Sequence, residues 1–423
     1  MASRAFPKIS GQLFSVLTLM FVCAAAHAQV LTGEWVAESE KKIDAVRKVD
    51  LRVIVLGRDG KPVPHAQVHV RQLRHAFALG FVAADTDWPQ DASEQAVWRC
   101  FNAVSFDRLA DWAVLQPDGP LQWQAGALMQ AIQQAHVHGW TMRWGGVISA
   151  DAGRLPGWAA SLEGSALRAA LDDQVARVLN AGAQCANEYD LYTDTLDHSF
   201  VEERLGLAML RRMYEQARAT SPEARLAVRF SDALVGQRLQ LLVRKVTDLR
   251  QAFIRINRIA IEQRIGGVLV QQPLARGLQM LGELQLQVVI AALEVGGASP
   301  TAAALNMETA LRTLFADPHI IGIYIAGLQA GHLADPAAAL FDDTGQPTPS
   351  GRVLDNLFHE LWRTDQTLTT DDLGNVFTRV FAGTHHLSTS LADGTSIEMD
   401  VYVPPANEQG DGRLIILEPF ASP

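Results

Sequence analysis

The chain has few cysteines, few aromatic residues and few charges for its length: three Cys, 7% aromatic and 19% charged residues among 423. One cysteine falls in an N-terminal apolar run. The other two, Cys100 and Cys185, sit in apolar surroundings, which reads as buried thiols and excludes a disulfide framework. A net charge of −10, from 36 basic and 46 acidic residues, excludes the broad basic face that sequence-independent grip on nucleic acid needs. Glycine-rich phosphate loops of the GxGxxG or GxxxxGK type are missing, which counts against a nucleotide-binding open sheet. No low-complexity linker and no internal repeat is visible. Metal-ligand spacing is missing too. His385-His386 has no carboxylate or histidine recurring beside it, and His136 and His138, at i and i+2, point to different sides of a helix. Neither a metal nor a cofactor is expected.

What is there is ample core, with 48% hydrophobic residues, enough for one large α/β barrel with appendages. The first 28 residues have the layout of a secretory signal peptide. Arg4 and Lys8 precede "LFSVLTLMFVCAAA", and Ala26-His27-Ala28 forms a small-x-small cleavage site, too short and wrongly flanked for a membrane span. A secreted or periplasmic protein is the expectation, with no membrane contact after cleavage. From Asp50, "DLRVIVLG", "AQVHVRQL" and "HAFALGF" read as a small antiparallel β-unit with turn chemistry in "RDGKPVPH". From about residue 90 to 365, strands and helices alternate. "AGALMQAIQQAHVHG" is a helix stopped at Gly139, and "LRAALDDQVARVLNAG" one stopped at Gly182. "EERLGLAMLRRMYEQARATSP" puts Leu205, Met209, Met213 and Ala217 on one helical face. "WTMRWGGVIS", "IGGVLVQQ", "LQVVIAALEV" and "HIIGIYIAGLQ" are short apolar strands. Apolar runs alternating with helices mean a parallel sheet covered on both faces. The expected fold is α/β, a (β/α)8 barrel with N-terminal and C-terminal β extensions: leader 1–28, β-unit 29–80, barrel 81–372, and a C-terminal β-segment 373–423.

Catalytic groups of such barrels sit at the C-terminal ends of strands. The run "GAQCANEYD" offers Asn187-Glu188 at what reads as a strand end. A carboxylate with an amide neighbour suits glycoside chemistry, which uses two carboxyl groups flanking the scissile bond. A solvated loop pair is the plainer explanation of those two residues alone.

Read beside the other strands, the chain resembles glycoside hydrolase family 10, the endo-1,4-β-xylanases. "FNAVSFDRLADWAVLQPDG" is similar to the family's Asn-x-Val-x-x-Glu-Asn-x-x-Lys-Trp segment, and "HGWTMRWGGVIS…LPGW" to its Arg-Gly-His-x-Leu-x-Trp…Pro-x-Trp. "AQCANE" stands where the family has Trp-Asp-Val-Val-Asn-Glu, and "IGGVLVQQP" where it has Gly-Ile-Gly-x-Gln-x-His. "ELQLQVVIAALEV" lies without gaps on Glu-Leu-Gly-Leu-Pro-Ile-x-Ile-Thr-Glu-Leu-Asp-Val. The resemblance implies a polysaccharide partner, xylan or another β-glycan. It implies Glu188 as general acid/base, with Asn187, Trp112, Arg143 and Gln271 as substrate-binding residues. It also puts the nucleophile on Ala292, the Lys of Lys-Trp on Asp111, its Glu-Asn on Asp107-Arg108, and the His of Arg-Gly-His on Gly145. The tryptophan beyond that His falls on Ser149, the His near Gln271 on Pro273, and the last-strand tryptophans on Ala326 and Gln329. Those departures imply impaired or absent xylanase turnover. Glu294, two residues beyond Ala292 on the same face, is the candidate second carboxylate of a divergent glycosidase, or a supporting carboxylate. A non-catalytic protein-interaction scaffold is the third reading.

Overall fold

A computed structural model describes residues 33–83, 98–183, 185–329, 333, 335–409 and 413–419. The expected leader, residues 1–28, lies outside them. A helix, Gly33–Arg47, leads into strands β1 (Lys48–Val55) and β2 (Gln67–His75). The barrel follows: β3 (Ala78–Ala83), β4 (Ala103–Phe106), β5 (Thr141–Trp144), the two-residue β6 (Ile148–Ser149), β7 (Ala186–Thr193), β8 (Arg225–Ser231), β9 (Arg258–Ile265), β10 (Gln287–Val295) and β11 (Ile320–Ile325). All pairings are parallel. β11 returns to β3 and β5 joins β7, so eight strands close on themselves, while β6 continues beyond β5 along the last residues of β7. Closure removes the exposed edges that an open sheet would have.

The covering helices follow from their apolar stripes. Gly164–Gly182 buries Leu167, Leu171, Val175, Val178 and Leu179 against the barrel, the spacing of one helical face. The helix expected over Met209 and Met213 is two helices, Phe200–Leu205 and Leu207–Thr220, because Gly206 at φ 74° breaks the turn between them. Two strands, β8 and β9, come in addition to those expected. The segment "IGGVLVQQ", expected as a strand, is instead the loop after β9 and the first turn of the helix Gln271–Gly282.

The remaining strands are β12 (Asp365–Thr369), β13 (Asn375–Phe381), β14 (Gly383–Ser390), β15 (Ser396–Val403) and β16 (Arg413–Leu417). They build two sheets, β13-β1-β16 and β12-β2-β14-β15. Alternate residues of these strands, among them Leu51, Val53, Val68, Val70, Val380 and Leu387, meet in a core separate from that of the barrel. The N-terminal β-unit and the C-terminal β-segment are therefore one β-sandwich assembled from both ends of the chain. The boundaries shift accordingly. "HAFALGF" supplies the first barrel strand rather than a third strand of the β-unit, and the sandwich resumes at Asp365.

Candidate functional site

The lumen of the barrel decides where the chemistry lies. Barrels of this type ordinarily fill it with branched apolar side chains. Here inward positions of β5, β7, β8 and β9 carry charge, joined by Asp107 just past the end of β4. Arg258 Nη1 lies 2.7 Å from Glu188 Oε2, and Arg143 Nε 3.4 Å from Glu188 Oε1. Arg143 also pairs with Asp190; Arg229 sits 3.4 Å from Asp190 and 2.6 Å from Asp107. Three guanidiniums and three carboxylates thus alternate in sign along the barrel axis. Ala227, Ala260 and Ala291 form a small cluster of their own beside them. Desolvation would neutralise isolated charges here, but the pairing opposes it. Burial pushes the Asp190 carboxyl up to about 6 while Arg143 and Arg229 pull it back down. Asp107 stays below the usual carboxylate range, its burial outweighed by Arg229, Arg143 and the Ser105 hydroxyl.

The two ends of this column are different places. Glu188 is the third residue of β7 and pairs in register with Arg225, the first residue of β8. It is at the N-terminal mouth of the barrel. The expectation that it closes a strand is therefore corrected: "GAQCA" is the end of a helix and a turn, and the strand begins at Ala186. Glu294 is the last residue but one of β10, at the other mouth. Glu188 is bonded to Arg258 and Glu294 to Arg264, six residues further along β9. At about 3.3 Å per residue that is roughly 20 Å, far outside the ~5–9.5 Å at which two carboxyl groups share a glycosidic bond. The structure does not bring this pair together.

The other expected binding residues are also dispersed. Arg143 is wholly buried in the lumen. Trp112 is buried, its Nε1 donating to Gln116 Oε1 at 2.8 Å and its ring edge against Trp158. Trp144 is buried as well, against Tyr189. Asn187 is exposed at the N-terminal mouth, and Gln271 is half-buried at the start of its helix. Among the described residues no group of three or more His, Cys, Asp or Glu is arranged to hold a metal.

At the C-terminal mouth, β7 ends on Thr193-Asp194. From this strand end, Tyr189-Asp190-Leu191-Tyr192-Thr193-Asp194 falls position for position on Trp-Asp-Val-Val-Asn-Glu. The carboxylate at this end of β7 is therefore Asp194 and not Glu188. Asp194 has left-handed backbone geometry, φ 61°, which aspartate tolerates better than most residues. The segment after β5 runs beside β7, Val147 N donating to Asp190 O and Ala150 N to Thr193 O, and this brings Ser149 to Asp194. Ser149 Oγ donates to Asp194 Oδ2 at 2.7 Å, Thr193 Oγ1 at 2.8 Å and Arg154 Nη1 at 3.1 Å. Arg154 also reaches Asp111, 3.4 Å away. Although burial works the other way, Arg154 and the two hydroxyls hold Asp194 below the usual carboxylate range. Asp111, more deeply desolvated, is pushed up.

The segment "LQVVIAALEV" supplies β10, with Ala292 buried toward the strand's C-terminal end. Glu294 beyond it accepts from Asp335 N at 3.2 Å and lies 3.3 Å from Arg264 Nε. Gly145 has a local cause as well: a β-carbon there would come within 1.9 Å of Asp107 Oδ1. The aspartate reaching for Arg229 occupies the space a side chain would take.

Residues 71–354 match the model of glycosyl hydrolase family 10. The chain belongs to this family. The solved xylanase 10B of Thermotoga petrophila RKU-1, in complex with xylobiose, superimposes with a TM-score of 0.58 at 15% identity, over 67% of this chain and 94% of that one. A point mutant of the intracellular xylanase TsXylA from Thermoanaerobacterium saccharolyticum, in complex with xylotetraose, gives 0.57 at 16%, over 66% and 95%. Two curated relatives are each 22% identical: anti-sigma-I factor RsgI6 of Acetivibrio thermocellus, over 85% of this chain, and endo-1,4-beta-xylanase 1 of Arabidopsis thaliana, over 74%. The matches cover 47% and 33% of those proteins, so the chain spans less than half the length of either. The family match ends before β12, leaving most of the sandwich outside it.

Sequence reasoning missed Asp194, Arg154, Asp190 and Arg229. The signal was present as a period of two in "NEYDLYTD" and in "RLAVRFS".

Proposed function

We propose that this family-10 barrel recognises a xylan-type β-glycan at its C-terminal mouth without hydrolysing it. The observation that carries the reading is the pair of strand ends: a methyl group on β10 at Ala292, and on β7 an aspartate tied to Arg154 and two hydroxyls. A retaining glycosidase needs a nucleophile about 5–5.5 Å from a proton donor whose pKa is raised. Ala292 has no atom that can attack an anomeric carbon. Asp194 is shifted the opposite way from a proton donor. Glu294 is engaged by Asp335 and Arg264, a supporting position rather than a free nucleophile.

Recognition without cleavage is supported by the donors and acceptors gathered at this mouth: Ser149, Arg154, Asp111, Asp194 and Glu294. The solved relatives that carry xylobiose and xylotetraose name the ligands to try first. A relative named as an anti-sigma factor fits a barrel of this kind serving regulation. The leader-like first 28 residues support export, which fractionation of expressing cells tests: retention in the cytoplasm removes that part.

The deciding experiment incubates the full chain with xylan, arabinoxylan and mixed-linkage β-glucan, reading reducing ends and affinity electrophoresis together. Retardation on at least one xylan with no reducing ends above the buffer blank is expected, weakened severalfold by Asp194→Ala. Reducing-end release that disappears in Asp194→Asn or Glu294→Gln overturns the loss of turnover. No retardation on any polymer overturns the glycan reading.

A further inference from the structure

The N-terminal mouth of the barrel opens into a cavity of about 480 Å³, within the roughly 300–1,000 Å³ of small-molecule sites. Its floor is Glu188, Arg258 and Tyr324, and Phe77 and Phe315 line it from another side. Helix Gly33–Arg47 borders it at Ala45–Arg47, and the segment after β15 at Pro405 and Ala406. Glycosidase chemistry uses the other mouth, so nothing in the family's reaction accounts for this site.

We propose that the cavity binds a small, neutral, polyhydroxylated ligand: a sugar of one or two rings. The class follows from the charge around it. Glu188 is 8% exposed and paired with both Arg143 and Arg258, so it has no surplus charge to offer a cation. Arg258 is matched by Glu188 and donates from Nε to Gln287, so it has none to offer an anion. Two further charges line the cavity and oppose each other in sign: Arg47, whose donors are taken by the carbonyls of Phe315, Asp317 and Ile320, and the exposed Glu408. The floor pair keeps bonding capacity. An ionised carboxylate has about four acceptor sites and a guanidinium five donors, more than these contacts use. A compensated pair presenting adjacent acceptors and donors suits the neighbouring hydroxyls of a sugar ring.

Tyr324 is the second observation. It is 2% exposed overall and lines the cavity beside Glu188, and a phenol pairs an apolar ring with a polar tip. Its ring is held firmly, beneath the Arg143 guanidinium and in the space left by Gly80, where a β-carbon would approach within 2.5 Å of it. The ring is fixed in place at the wall of the cavity, where its hydroxyl can bond a ligand. Ala78, Pro318 and Ile321, none of them fully buried, supply an apolar surface for the C–H face of a sugar. Walls on both sides limit the occupant to a mono- or disaccharide.

The test is titration calorimetry and saturation-transfer NMR on the full chain with D-xylose, D-glucose, xylobiose and cellobiose, with choline and D-glucuronate as charged probes. At least one neutral sugar binds, Tyr324→Phe weakens it tenfold or more, and Ala406→Trp, which narrows the mouth, abolishes it. Both variants leave the floor's ion pairs intact and keep their retardation on polymeric xylan, which separates this site from the rim. No binding by any neutral sugar, stronger binding of a charged probe, or binding unaltered in both variants overturns the proposal.

Discussion

At the C-terminal mouth, Asp194 and Asp111 stand outside the strands and Arg154 on a short 3-10 turn, each partly exposed to solvent. At the N-terminal mouth, Glu188 and Arg258 stand inside strands, nearly buried, under a roof made by the first helix and the last segments of the sandwich. Both mouths pair an acid with an arginine, but solvent screens one pair and not the other. A carboxylate in a barrel therefore cannot be assigned a role from its strand alone. Which end of the strand it occupies decides whether it faces solvent or only its buried neighbours.

The largest test of this contrast goes through the column joining the two mouths. Asp190→Asn or Arg143→Met removes one charge from a wholly buried network and leaves its neighbours under-compensated, which costs up to about 3–5 kcal/mol; urea unfolding should show a correspondingly lower midpoint. Next in size is an acid effect on the sandwich side. His385 is fully buried, and burial lowers its pKa to about 4. The folded form keeps this ring neutral while the unfolded chain protonates near pH 6.5. Its contribution is complete above pH 6.5 and is lost as pH falls toward 4, amounting to about 3 kcal/mol. Stability of His385→Phe should fall less steeply than wild type across that window.

Smaller effects belong to the rim. Glu294→Ala removes the acceptor for Asp335 N and the partner of Arg264, about 1–2 kcal/mol, seen as a lowered melting temperature. Least costly is Arg154→Ala. Arg154 is about a third exposed, so stability should change by less than about 1 kcal/mol. The Asp194 carboxyl should nonetheless titrate at higher pH by carbon-detected NMR. An unmoved Asp194 would mean that the two hydroxyls, not the guanidinium, hold it down.

The barrel was legible because helices and most strands obey ordinary patterns, and because "ELQLQVVIAALEV" is buried on both faces and reads as an uninterrupted apolar run. β8 and β9 were not legible for one physical reason. Their inward positions, Arg229 and Arg258, face a charged lumen, so "RLAVRFS" and "RIAIEQRI" lack the continuous apolar character that marks a barrel strand. The same cause displaces the register of β7. Glu188 and Asp190 make the strand's own body look like the start of a loop, and the small-residue end of the preceding helix reads as the strand. The burial of Trp112 and Arg143 was hidden because a motif match carries no information about depth.

The contact between Asp107 and the bare α-carbon of Gly145 ties three positions together. With the carboxylate in place, no side chain fits at 145; without it, Arg229 loses its nearest counter-charge. A side chain at 145 is admitted only by a change at 107 that also moves charge away from the centre of the lumen.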